Sequence, residues 1–157
     1  MENTSHFLVF MLDDKQFALP LDTVERVIHA VEITDLPEVP AIVRGIINYK
    51  GTILPVFDIR PRFHLSQREI QPEDQLIIVN TPERTVALLV DTVSGDIEKL
   101  SSDVVPPGSK FAGTSVQEGI LKMENGIILI PDLSNILTRQ EDRILLKAMK
   151  KNAKDSK

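Results

Sequence analysis

The chain has no cysteine and no tryptophan, a single tyrosine, and an aromatic share of only 4%. Without thiols there is no disulfide, no thiolate zinc site and no cysteine nucleophile, and a reducing compartment is compatible with the composition. Few aromatics leave little surface for base stacking. The net charge of −5 also opposes the counterion release that drives nucleic-acid binding, so no nucleic-acid partner is expected. No apolar run approaches the roughly 18 residues of a membrane span. The opening MENTSH carries an acid and no basic stretch, so neither direct membrane insertion nor a secretory leader is expected, and a cytoplasmic location is the simplest expectation.

Catalytic signatures are missing too. There is no G-x-G-x-x-G, no G-x-x-x-x-G-K-[ST] and no G-x-S-x-G. His6, His29 and His64 are not spaced to share a helical face or alternate strand positions, which leaves no metal site legible. The expectation is a protein without enzymatic activity, metal or cofactor. A small β-barrel enzyme and a nucleic-acid-binding barrel are the alternatives of a different class.

What is present is the material of a folded domain: 157 residues, 42% hydrophobic and 26% charged, enough to bury roughly 70% of the unfolded surface. Short apolar runs recur between turn signals: FLVFML (7–12), QFAL (16–19), QLIIVN (75–80), TVALLV (85–90), GILKM (119–123) and GIILI (126–130). Their length and their isoleucine and valine content predict strands, and Asn125-Gly126 predicts a hairpin turn. Two helices are expected. One opens at Asp22, with Glu25 completing a capping box and Val24, Val27 and Ile28 sharing a face. The other is C-terminal, capped by Thr138 and Glu141, with an apolar stripe of Ile144, Leu145, Ala148 and Met149. The lysines at 147, 150, 151, 154 and 157 suit the negative pole of that helix, so they are expected to be a solvated helix end.

A weak internal repeat organises these elements. ALPLDTV at 18–24 returns as ALLVDTV at 87–93, and GIINYKGTILPVFDI at 45–59 returns as GILKMENGIILIPDL at 119–133, in the same order. Two related β units sharing an apolar interface are therefore expected, spanning Ala18 to Ile59 and Ala87 to Leu133. Asp22, Asp58, Asp91 and Asp132 take equivalent places in the repeats and follow strands, where aspartate commonly caps a turn. Between Ile46-Ile47 and the run Ile53 to Phe57 lies the turn Asn48-Tyr49-Lys50-Gly51. Glycine there permits a tight reversal, which presents an aromatic ring and a cation suited to protein contact. Pro55 removes one ladder donor from its strand, as at an edge or bulge.

The pattern P-x-x-[IV]-[KR]-G-[IV]-[IV]-N-x-[RK]-G-x-[IV]-x-P-[IV]-x-D-[IL]-R reads here PAIVRGIINYKGTILPVFDIR, from 40 to 60. With FLVFML, QFALPLDTVERV and TVALLVDTVSG it resembles the CheW family of chemotaxis coupling proteins, over about residues 7–140. The resemblance implies a mostly β fold of two intertwined SH3-like five-stranded β-barrels with short helices and a C-terminal helix. The barrels would span approximately 15–80 and 81–135, the N-terminal strand joining the second, with a helix and lysine-rich tail over 141–157. It implies a non-catalytic adaptor that couples chemoreceptors to a chemotaxis-type histidine kinase in membrane-associated arrays, with a non-flagellar chemosensory pathway as the variant. It further implies kinase contacts at Val24, Arg26, Asn48, Tyr49 and Lys50, reaching the kinase regulatory domain. Contacts to the cytoplasmic tip of a chemoreceptor fall at Leu76, Ala87 and Val93. Three letters depart from the family pattern: Arg26 where many relatives carry glutamate, Lys50 for arginine, and Tyr49 for leucine.

Overall fold

The computed structural model describes residues 4–105, 117–124 and 126–155. Eleven strands precede a C-terminal helix among them: β1 (Thr4–Leu12), β2 (Lys15–Pro20), β3 (Val24–His29), β4 (Val43–Tyr49), β5 (Thr52–Phe57), β6 (Gln75–Asn80), β7 (Thr85–Val90), β8 (Thr92–Leu100), β9 (Val104–Val105), β10 (Gln117–Met123), β11 (Gly126–Pro131) and α1 (Arg139–Asp155). They form a five-stranded sheet of order β3-β6-β7-β5-β4 and a six-stranded sheet of order β8-β1-β2-β11-β10-β9. The fold is mostly β, as two SH3-like barrels.

Each sheet contains strands from both halves of the chain, and the repeat explains how. The antiparallel pairs β1–β2 and β6–β7 keep one register at an offset of 69 residues: Phe10 faces Phe17 as Val79 faces Val86. The pairs β4–β5 and β10–β11 do so at an offset of 74, where Ile46 faces Pro55 and Ile120 faces Leu129. Even the irregularities repeat. The bulge at Val24/Arg26 against Val79/Ile78 has its twin where Val93 and Gly95 face Phe10 and Val9. The repeated A-L-x-x-D-T-V segments are the two crossovers. One carries the chain from β2 into β3 of the other sheet; the second returns it from β7 to β8.

Strand exchange accounts for the uninterrupted apolar runs. A strand facing its own barrel on one side and the neighbouring barrel on the other must be apolar at every position. In β6, Leu76 and Ile78 point into the first barrel while Ile77 and Val79 point into the seam. In β7, Ala87 and Leu89 take the barrel side, and Val86, Leu88 and Val90 the seam. On the other sheet Leu8, Phe10, Leu12, Phe17 and Leu19 reach the seam, and Phe7, Val9 and Ala18 fill the second barrel.

Sheet membership departs from the expected division in two places. β2 belongs to the second barrel and β7 to the first, because the crossovers lie at 21–23 and at Asp91 rather than near residues 15 and 80. The expected helix at Asp22 is also absent: residues 21–23 form one 3-10 turn without a side-chain cap, and Val24–His29 is a strand paired with β6. The bulge misleads the periodicity. An extra residue at Glu25 puts Val24 and Val27 on the same face at a spacing of three, which imitates a helix. β-Branched Val24, Val27 and Ile28 favour the strand.

The C-terminal helix starts at Arg139, directly after the expected cap at Thr138 and two residues before the expected 141–157 segment. Its capping box is formed: the Glu141 backbone N–H donates to Thr138 Oγ1 (3.1 Å), and the Thr138 N–H donates to Glu141 Oε1 (2.9 Å). Leu145, Ala148 and Met149 pack on the seam, while Ile144 is turned outward. Asn125 lies outside the described residues; the pairing of Met123 with Gly126 flanks it.

Candidate protein-binding surface

The turn between β4 and β5 is built by its own sequence. Lys50 (φ 52°) and Gly51 (φ 87°) both adopt positive φ, the two-residue reversal whose twist matches that of paired strands. The Gly51 N–H donates to Asn48 Oδ1 at 2.8 Å, which locks the turn from the side. The hairpin departs from flatness at Gly45, where a Cβ would lie 2.3 Å from the Thr34 carbonyl oxygen. That carbonyl accepts the Ile46 N–H at 2.8 Å, and the mutual bridge brings the 30–35 segment onto β4. The repeat places Gly119 at the corresponding point, beneath the Val105 carbonyl.

Closure of the first barrel brings the start of β3 to this turn. The Tyr49 ring packs on the barrel core, as do Ile28, Ile33 and Ile70. Its hydroxyl is shut off from solvent without a hydrogen-bond partner in the described structure. Burial and the neighbouring Glu25 carboxylate push the phenol up from its ordinary value, partly opposed by Arg26. Lys50 Nζ sits 5.4 Å from the Tyr49 ring centroid, within range of a cation–π contact. Arg26, Asn48 and Lys50 are exposed. The fold therefore assembles, at one end of the first barrel, four of the five residues for which the resemblance implies kinase contact. Val24 is half-buried and packs on the seam.

Two residues of this surface escape the sequence patterns. Glu25 is the bulge residue, so the bulge delivers it to Tyr49. Ile53 faces Asn48 across the hairpin and is 45% exposed, although its place in an apolar run suggests core. Its repeat twin Ile127 is 53% exposed on the second hairpin. Strand alternation explains both: in β5 Leu54 and Val56 take the first barrel's interior and leave Ile53 outside, and in β11 Ile128 and Ile130 do the same in the second barrel and leave Ile127 outside.

The residues assigned to a receptor do not form a surface. Leu76 and Ala87 have no exposed area and point into the first barrel. A direct contact by either is corrected to an interior role, because runs buried on both faces present no side chain to solvent. Val93 is half-buried at the start of β8, its N–H donating to Gln75 Oε1 at 2.7 Å.

Beneath the hairpin lies a charged network. The Asp58 carboxylate is wholly buried and accepts from Arg44 at 2.9 Å and from the Arg60 N–H at 3.1 Å. Arg60 is 1% exposed and pairs with Asp91, which Arg68 also engages. Arg68 binds Asp74 through both terminal nitrogens, at 3.0 and 2.7 Å. Burial pushes the Asp91 carboxyl up, but Arg60, the Asp13 N–H and Arg68 more than offset it and hold the group below its usual range. The aspartates after strands thus divide. Asp58 and Asp91 enter this network, whereas Asp132 makes the expected local cap, accepting from the Ser134 N–H at 3.2 Å. Among the described residues no three His, Cys, Asp or Glu side chains gather where they could hold a metal.

Comparison with known proteins follows the same outline. The CheW-like domain family model matches residues 6–141. The chain is similar to the chemotaxis protein CheW of Bacillus subtilis, at 29% identity covering 87% of this chain and 88% of that protein. It is similar to the chemotaxis protein CheW of Thermotoga maritima, at 30% identity covering 83% and 85%. Among solved structures, the scaffolding protein TtCheW from Thermoanaerobacter tengcongensis superposes with a TM-score of 0.79 at 30% identity, covering 88% of this chain and 96% of that one.

Proposed function

The chain belongs to the CheW-like domain family, and from that membership we propose that it is a non-catalytic adaptor of chemosensory signalling, holding chemoreceptors and a histidine kinase in one assembly. The observation that carries this reading is the match over residues 6–141, together with similarity to proteins named for chemotaxis and for scaffolding. The surface chemistry supports it. Contact between two folded domains needs shape, an apolar anchor and a charged rim, and no reactive group. The end of the first barrel offers Ile53 as anchor, with Asn48 facing it and Lys50 in the adjoining turn, and Arg26 exposed beside Tyr49.

The kinase regulatory domain is the partner assigned to this end, with an acidic or polar group opposite Arg26. The chemoreceptor tip is assigned to a separate surface that includes the exposed part of Val93. No described helix is long and apolar enough to cross a membrane. On this reading the adaptor works on the cytoplasmic side of receptor arrays, held there by its partners. The deciding experiment is co-sedimentation with the cognate kinase and a receptor tip fragment, separately and together. Binding to both, with a ternary complex, is expected; failure to bind either overturns the adaptor reading.

A further inference from the structure

The outer face of α1 carries charge that the helix itself does not need. Arg143, Lys147, Lys150 and Lys151 are exposed, and at 100° per residue they occupy one arc of about 100°. That arc lies opposite Leu145, Ala148 and Met149, which hold the helix to the seam. Residues 143–154 contain no carboxylate. The acids of the first turn are already engaged: Glu141 with Arg62 and Asp142 with Arg84. Among the described residues, none of the four exposed cations makes an ion pair.

The macrodipole explains only the end of this row. Its effect fades within about one turn, whereas Arg143 and Lys147 stand fifth and ninth in a helix of 17 residues. Arg143–Lys147, Lys147–Lys150 and Lys147–Lys151 are like-charge neighbours, each costing about 0.2–0.5 kcal/mol in an isolated helix. The solvated helix end expected from the sequence therefore leaves the first half of the row without a stabilising reason.

We propose that this face is a docking surface for an acidic amphipathic helix of a partner protein, separate from the hairpin surface on β4 and β5. Charge complementarity names the partner's polar side: carboxylates four residues apart match cations four residues apart. Apolar flanks name its other contacts. Leu146 is 44% exposed on one margin of the row, and Ile144, 38% exposed, opens on the other into a groove of about 400 Å³ with Leu36, Pro37 and Ala148, in which Glu38 is the one acid beside Lys147 and Lys151. The body of the protein argues against an extended polyanion. Residues 143–157 hold six cations and one carboxylate, so the −5 of the whole chain becomes −10 over residues 1–142. A bilayer or a nucleic-acid strand meets that repulsion beyond the helix; a compact acidic helix meets the row and, at its margin, the single acid Glu38.

The test is a fluorescence-anisotropy titration of the full chain against a labelled 21-residue synthetic helix bearing glutamate at i, i+4 spacing and leucine on one flank. Saturable binding is expected, weakening as salt rises. The Lys147→Glu/Lys151→Glu variant should bind at least about tenfold more weakly, corresponding to about 1.4 kcal/mol. Leu146→Ser should weaken binding as well. Both variants change exposed side chains, and circular dichroism should show α1 and the melting temperature kept. The same peptide with lysine for glutamate should not bind. Vesicles with 30% phosphatidylglycerol and a single-stranded RNA of equal charge are the competitors. Preference for either of these, or peptide binding indifferent to the double variant, overturns the proposal. Kinase binding should be unchanged in the double variant, which separates this surface from the adaptor function.

Discussion

Arg60 and Asp91 meet where the chain passes back from the first sheet to the second, an ion pair between a guanidinium 1% exposed and a carboxylate at the crossover. Asp91 also accepts the Asp13 N–H at 2.7 Å from the β1–β2 turn of the other sheet. The pair therefore ties both sheets at one point. Removing Asp91 strands a buried cation, and breaking such pairs costs about 3–5 kcal/mol. Asp91→Asn should lose on the order of 3 kcal/mol in urea unfolding, with Asp58 and Asp13 softening the loss. Arg60→Met removes the charge along with the bond and should cost less. An Asp91→Asn protein as stable as the parent would remove this pair from the account of the fold.

The same pair sets an acid dependence. Asp91 and Glu141 have folded values below their ordinary ones; each is raised by burial and lowered further by its arginine and backbone partners. A carboxylate depressed in the folded state contributes stability fully present above its unfolded value, near pH 4, and lost as pH falls through the folded value. Urea midpoints should be flat from pH 7 to about 5 and decline below 4. In Asp91→Asn the decline should be shallower, because one linked proton is gone.

Gly45 and Gly51 both have positive φ but fail differently when substituted. At Gly51 an added Cβ meets nothing within 4 Å, so Gly51→Ala carries only backbone strain, about 1 kcal/mol. At Gly45 the Cβ would lie 2.3 Å from the Thr34 carbonyl, a backbone atom that closes the barrel. Gly45→Ala should lower the melting temperature well beyond Gly51→Ala, measured by circular dichroism. Equal effects would show that the Thr34 bridge does not close the barrel as described.

These positions show what the sequence discloses and what it hides. The strands were legible because exchange between sheets buries both faces of β6 and β7, leaving unbroken apolar runs. The repeat was legible because crossovers and hairpins need particular letters: Gly45 and Gly119 under a carbonyl, Asp91 at a crossover. The bulge at Glu25 was not, since a single extra residue in a strand leaves a spacing of three that imitates a helix. Nor could sequence tell the interior Leu76 and Ala87 from the outward Ile53, all three set in apolar runs. Facing follows from register, and register is fixed by partners distant in the chain.

Arg26 offers the sharpest test of the proposed kinase contact. It is exposed on β3, next to the bulge residue Glu25, which the fold brings to Tyr49. The bulge that puts Val24 and Val27 on one face leaves Glu25 and Arg26 together on the other, where both act on Tyr49, so reversing Arg26 also changes the charge beside Glu25. If the kinase presents an acidic or polar group there, Arg26→Glu places like charges together. A rim reversal of this kind should weaken binding about tenfold, mainly through a slower and less salt-sensitive association. Titration calorimetry and stopped-flow mixing with the cognate kinase regulatory domain measure both. The exposed position predicts an unchanged melting temperature, so reduced affinity in a folded variant isolates the contact. Unchanged affinity would falsify the assignment of Arg26 to the kinase-facing edge while leaving the fold and the hairpin intact.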